Sequence, residues 1–174
     1  MRVEIRTILR KTGDSFEFEA AGSPEEMALS FPGYEFSQPV RFMGAIRNAG
    51  NDVFVIEGVV TASWISHCAR CLVLVVSQIE AQVDVSFRPQ NSKDPCPGEN
   101  VDPEEEYTYT GYSIGLDRAL RDSLILALPF RLLCGPDCKG ICGLCGQNRN
   151  EQDCGCDTGN ENGTSLFEEC KKLL

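Results

Sequence analysis

The sequence predicts an α+β protein: mainly an antiparallel β-sheet meander, with one or two helices and a cysteine-rich knuckle near the C-terminus. Three observations carry this. Apolar and polar residues alternate with period two through most of the first 90 residues. One segment, from Leu116 to Leu126, switches to helical spacing. Six cysteines fall between Cys134 and Cys156, in a stretch rich in glycine.

The elements follow in order. Val3, Ile5 and Ile8 mark a first strand, and Phe16 and Phe18 alternate with glutamates in a short second one. Ser23-Pro24-Glu25-Glu26-Met27 reads as a helix start or a turn, with proline at the first helical position. From Pro39 to Ala49, Val40, Phe42 and Gly44 oppose Arg41 and Met43, and Gly50-Asn51-Asp52 is turn chemistry. Val53–Trp64 is rich in β-branched and aromatic residues, with Trp64 read as core. Leu72–Phe87 then places Val83, Val85 and Phe87 on one face. Three long strands with short connections make the meander, and residues 1–90 form the antiparallel β domain. Residues 91–106, with three prolines and six acidic side chains, read as an acidic, proline-rich mobile loop. Residues 107–130 supply a further strand, Tyr107–Ile114, and a helix that packs on the β domain. That helix carries Leu116, Ala119, Leu120, Ser123 and Leu124 on one stripe, places Asp117 in its first turn, and stops before Pro129. Residues 131–157 are the cysteine-rich segment. Residues 158–174 are an acidic tail in which Ser165 and Glu168 form a capping box for a possible short helix.

Composition bounds the function. The chain has 174 residues and ten cysteines. It shows no apolar run near the roughly 20 residues needed to span a bilayer, and its start, Met1-Arg2-Val3-Glu4-Ile5-Arg6, lacks the apolar stretch of an export signal. A cytoplasmic location is expected, and in a reducing compartment clustered cysteines read as metal ligands or redox groups before they read as disulfides. The net charge of −10 argues against binding nucleic acid by bulk phosphate attraction. Only residues 107–150 are net positive, with five basic and three acidic side chains.

Zinc takes soft ligands at the corners of a tetrahedron, and a C-x₂-C turn supplies two of them. Cys142-x₂-Cys145 with Cys154-x-Cys156 completes one four-thiolate set, and Cys68-x₂-Cys71 with Cys134-x₃-Cys138 completes a second. Spacing alone does not determine this partition, so one or two zinc ions are expected. Gly143, Gly146 and Gly155 ease the turns. The alternatives are a thiol–disulfide redox pair, which here lacks a βαβ context, an iron–sulfur cluster, and reduced cysteines without metal. Cys96 and Cys170 stand apart as free thiols. Four thiolates would leave zinc no open position for catalysis. His67 is the only histidine and reads as a surface residue; no triad and no phosphate-binding glycine loop is present. The expectation is a zinc-binding protein that is not an enzyme and has no small-molecule substrate.

Cys68-Ala69-Arg70-Cys71-Leu72, Leu126-Ala127-Leu128-Pro129, and the run from Cys134-Gly135-Pro136-Asp137-Cys138 through Cys142-Gly143-Leu144-Cys145-Gly146-Gln147-Asn148 and Asn150 to Cys154-Gly155-Cys156 resemble the YceD family. Ile141, Gly143 and Arg149 depart from its usual leucine, proline and apolar residue without removing a ligand. The resemblance implies a bacterial, non-enzymatic factor that supports accumulation of large-subunit ribosomal RNA by binding precursor RNA or a ribosomal protein. The physical carrier of such contact would be the net-positive segment, through Arg118, Arg121, Arg131, Lys139 and Arg149, joined by Arg70 if the two cysteine groups meet. A protein-interaction module that touches a basic ribosomal protein and no RNA, and a thiol-redox protein, are the competing readings.

Overall fold

The alternating stretches form strands. The computed structural model describes residues 1–6, 11–37, 39–90 and 107–156. Its centre is three long neighbours, β4 (Val40–Gly50), β5 (Val53–His67) and β6 (Leu74–Pro89), paired antiparallel in chain order. Asn51 and Asp52 alone connect β4 to β5, with φ of 51° and 58°. Positive φ at both loop positions is what a primed two-residue hairpin needs to match the twist of its strands. β2 (Ser15–Gly22) extends the sheet beyond β4. β3 (Glu35–Phe36) pairs with Ile65 and Trp64 of β5, past the point where β4 ends.

The inner face of this sheet is the core. Phe42, Ile46, Phe54, Ile56, Val60, Trp64, Val83 and Phe87 are buried there, under Leu116, Leu120 and Leu124 of the helical segment. Trp64 is 1% exposed and packs against Tyr34, the two rings tilted by 37° with centroids 4.8 Å apart. Arg41, Met43, Arg47, Glu57, Glu80, Gln82 and Asp84 alternate to the exposed side. Gly44 and Gly58 face each other across β4 and β5, and the edge of the Phe42 ring lies over both, in space that a Cβ on either would fill.

Several elements differ from their sequence expectation. The first strand, β1 (Arg2–Glu4), is only three residues long and pairs outside the main sheet with β8 (Ser113–Gly115); Ile8 lies outside the described residues. Ser23–Met27 is a turn. Ser23 and Glu26 exchange the reciprocal side-chain bonds of a capping box, but Ala28, at φ 50°, leaves the helical region before a second turn forms. The expected strand Tyr107–Ile114 is two strands, β7 (Tyr107–Tyr109) and β8, because Gly111 at φ 67° turns the chain between them. β7 joins the sheet parallel to β6, at Phe87–Pro89, so the sheet is mixed at that edge. The helix α1 runs Asp117–Ala127. It ends because Leu128, preceding Pro129, is extended at ψ 133°. Residues 91–106 and the tail beyond Cys156, with Cys96, Cys170 and the Ser165 capping box, lie outside the described residues.

Candidate metal centres

The turn joining β5 to β6 is Cys68–Val73, so the sheet's own hairpin carries the first C-x₂-C. The Cys68 N–H donates to the Val73 carbonyl at 2.8 Å and the Leu72 N–H to the Cys68 carbonyl at 3.0 Å. Leu72 takes φ 62°. The second C-x₂-C repeats this hydrogen-bond pattern. The Cys142 N–H donates to the Gln147 carbonyl at 2.8 Å, the Gly146 N–H to the Cys142 carbonyl at 2.9 Å, and Gly146 takes φ 74°. The isolated bridge Ile141↔Asn148 stands where His67↔Leu74 stands in the first turn. Both cysteine pairs therefore sit on the same knuckle, once with glycine and once with leucine in the left-handed position.

A non-glycine residue in that region costs about 1–2 kcal/mol. The Leu72 side chain is 58% exposed and offsets little of this by burial. Leu72→Gly is expected to raise stability by up to about 1 kcal/mol, since glycine's greater chain entropy returns part of the gain. A urea titration checks it; a destabilised variant would mean that the leucine side chain packs usefully in solution.

The structure places the eight clustered cysteines in two groups. Cys68, Cys71, Cys134 and Cys138 form one; Cys142, Cys145, Cys154 and Cys156 form the other. Within each, every sulfur lies within 4.8 Å of the others. Cys68 Sγ is 3.7 Å from Cys138 Sγ, and Cys71 Sγ is 3.5 Å from Cys134 Sγ. Sulfurs tetrahedrally bonded at about 2.3 Å to one ion are separated by about 3.8 Å, so these spacings fit. They are far beyond the roughly 2.05 Å of a disulfide bond, and the cysteines are free. Either group can hold a metal ion.

N–H groups point at the sulfurs. Cys68 Sγ accepts from the backbone of Arg70 at 3.5 Å and of Cys134 at 3.3 Å, and Cys138 Sγ accepts from the Asn150 side chain at 3.4 Å. Burial pushes the Cys68 thiol up, but the N–H donors of Cys71, Arg70 and Cys134 outweigh it and bring it down to about 6. The backbone of Cys145 and Leu144 likewise lowers Cys142 to about 6. Cys134, beside Cys138 and Cys71, is pushed up to about 12, as is Cys156 beside Cys145 and Cys154. Crowded thiols hold their protons against one another; a bound cation reverses that by favouring every thiolate.

The six cations expected to touch a partner come from several segments of the chain, each with its own partners. Arg118 and Arg121 both pair with Asp122 on α1, at 3.8 and 3.2 Å, and Arg118 lies over the Tyr107 ring. Arg131 lies over Phe130. Arg70 is at the first cluster, donating to the Cys138 carbonyl at 3.0 Å. Lys139 and Arg149 flank the second knuckle, their backbone N–H groups bound to Asn150 Oδ1 and the Gly140 carbonyl. His67 is exposed at the end of β5 while Cys68 is fully buried. Asn150 stands in the sequence motif, but its contact with Cys138 Sγ is not legible there. The available signal is a short polar side chain in the loop between two pairs of ligands.

Comparison with known proteins adds the family. The model described as "Large ribosomal RNA subunit accumulation protein YceD" matches residues 56–174, which include all eight clustered cysteines. Uncharacterized proteins of Mycobacterium tuberculosis and Mycobacterium bovis are 28% identical over 148 residues, covering 84% of this chain and 69% of theirs. One of Mycobacterium leprae is 30% identical over 115 residues, covering 64% of this chain and 50% of its own. No solved structure matches. The chain belongs to the YceD family.

Proposed function

We propose that this protein is a non-enzymatic factor for accumulation of large-subunit ribosomal RNA, acting in the cytoplasm with two structural zinc ions, one in each four-cysteine cluster. The family match, which spans both clusters, carries the reading. Zinc is favoured by the donor set: four thiolates suit a soft, tetrahedral, structural site with no open coordination position. Among the described residues no helix is long and apolar enough to cross a membrane.

The zinc ions fix the backbone around Arg70, Lys139 and Arg149, holding three cationic side chains in place beside four-thiolate sites that each carry a formal charge of −2. Arg118 and Arg121 contribute less, because both already lean on Asp122. The overall charge of −10 supports a second reading, in which the direct partner is a basic ribosomal protein.

Crosslinking the tagged protein in cells, then sequencing attached RNA and identifying attached proteins, tests both. The expected result is reads from large-subunit ribosomal RNA, with crosslinked peptides at Arg70, Lys139 or Arg149. Attachment only to ribosomal proteins supports the second reading. Recovery of neither overturns both.

A further inference from the structure

Asn150 lies in the loop between Cys145 and Cys154, which belong to the second cluster, yet it reaches a sulfur of the first. Its Oδ1 accepts the Lys139 N–H at 2.7 Å. That contact fixes the orientation of the amide, since a backbone donor must meet the oxygen. Its NH₂ is thereby turned toward Cys138 Sγ, 3.4 Å away, and toward Asn148 Oδ1 at 2.8 Å. The Asn150 N–H donates to the same Asn148 oxygen at 3.0 Å. Asn148 is itself held in the second knuckle by the bridge to Ile141. Only Lys139, Gly140 and Ile141 separate Cys138 of the first cluster from Cys142 of the second, and Gly140 presses on the Arg70 carbonyl so closely that a Cβ would lie 3.1 Å from it.

We infer that Asn150 is a positioning residue through which filling the second cluster tightens metal binding at the first. The inference rests on the metal reading above. With Cys145 and Cys154 tied to one ion, their loop is fixed and Asn150 is held against Cys138. With them free, ordering Asn150 costs conformational entropy, and the Cys138 thiolate loses a donor. Groups that hydrogen-bond metal ligands are worth about 10–100-fold in metal affinity. Linkage requires the effect to run both ways.

The test uses the full chain and zinc, with affinity at the first cluster read by competition with a chromophoric chelator. Replacing Cys154 and Cys156 by serine disables the second cluster and is expected to weaken the first about tenfold or more. Asn150→Ala is expected to weaken the first by a similar factor while two zinc ions still bind. Combining the changes should weaken it no further. Asn150→Asp keeps the acceptor for the Lys139 N–H but replaces the sulfur's donor with a negative charge, so it should bind more weakly than the alanine variant. In cobalt-loaded protein, both Asn150 variants should shift the thiolate-to-cobalt charge-transfer band of the first cluster. Rescue by Asp would show that Asn150 serves only the loop. Unchanged affinity in Asn150→Ala, or effects that multiply in the combined variant, would overturn the coupling. Wild-type protein that binds two zinc ions independently sinks this inference alone, whereas wild-type protein that binds none sinks the metal reading beneath it.

Discussion

Stripping metal with a strong chelator is expected to release residues 134–156 while β4, β5 and β6 stay folded. The two regions are held by different forces. The sheet buries a continuous set of large side chains from Phe42 to Phe87 against α1. Between Cys134 and Cys156 the buried hydrophobic residues are Cys138 and Cys142, themselves proposed ligands, while Ile141 and Leu144 are exposed at 40% and 70%. A segment with no apolar interior cannot offset the entropy of ordering its backbone, about 1–2 kcal/mol per residue. Structural zinc contributes about 10–16 kcal/mol of apparent binding free energy in small peptides, a figure already net of the cost of folding them. Hydrogen exchange with and without chelator reads the difference: amides in 134–156 should approach unfolded-chain rates, and those of β4–β6 should keep their protection. Cys138→Ser should loosen the segment in the same way without chelator. Unchanged exchange in chelated protein would mean that something other than metal orders the knuckles.

Gly58→Val should destabilise the sheet by about 3 kcal/mol or more, at the upper end of overpacking. A Cβ at Gly58 would lie 2.5 Å from the Met43 carbonyl oxygen, 2.7 Å from Gly44 Cα and 2.8 Å from the Phe42 ring. Two of those neighbours are backbone and cannot rotate away. Valine is a favoured strand residue, so propensity alone predicts the opposite sign, and the urea midpoint decides between them. Gly115→Ala in β8, where a Cβ meets nothing within 4 Å, is the control and should change stability by no more than about 0.5 kcal/mol.

Much of the sheet is written in period-two patterning, and it emerges where Val40–Gly50, Val53–His67 and Leu74–Pro89 alternate. The Asn51-Asp52 hairpin and the stripe of α1 are equally local signals. What is not legible is pairing between distant segments. Nothing in Tyr107–Tyr109 says that it joins β6 in parallel, and nothing in Arg2–Glu4 says that its partner is Ser113–Gly115. The cysteines follow the same division. Their types and spacings announce two knuckles, but the assignment of sulfurs to clusters depends on how the β5–β6 turn meets the chain after α1. The kinship of the two turns is hidden because leucine at 72 fills the position that glycine takes at 146. Net charge along a sequence carries no distances: Arg118 and Arg121 lie on α1, whereas Arg70 lies in the β5–β6 turn. Arg118 is near the start of a helix of 11 residues, about 16 Å long at 1.5 Å per residue, and Cys134 to Cys156 follow its far end.

The first cluster has a temporal meaning. Cys68 and Cys71 leave the ribosome long before Cys134 and Cys138, and the pair alone offers a cation half a cage. A polypeptide broken off during synthesis anywhere before residue 138 would lack a sulfur needed to finish that cage. Its ion would exchange freely, and its helix would have no tether to the hairpin. Metal capture there would therefore mark a chain made at least as far as residue 138, distinguishing it from shorter fragments.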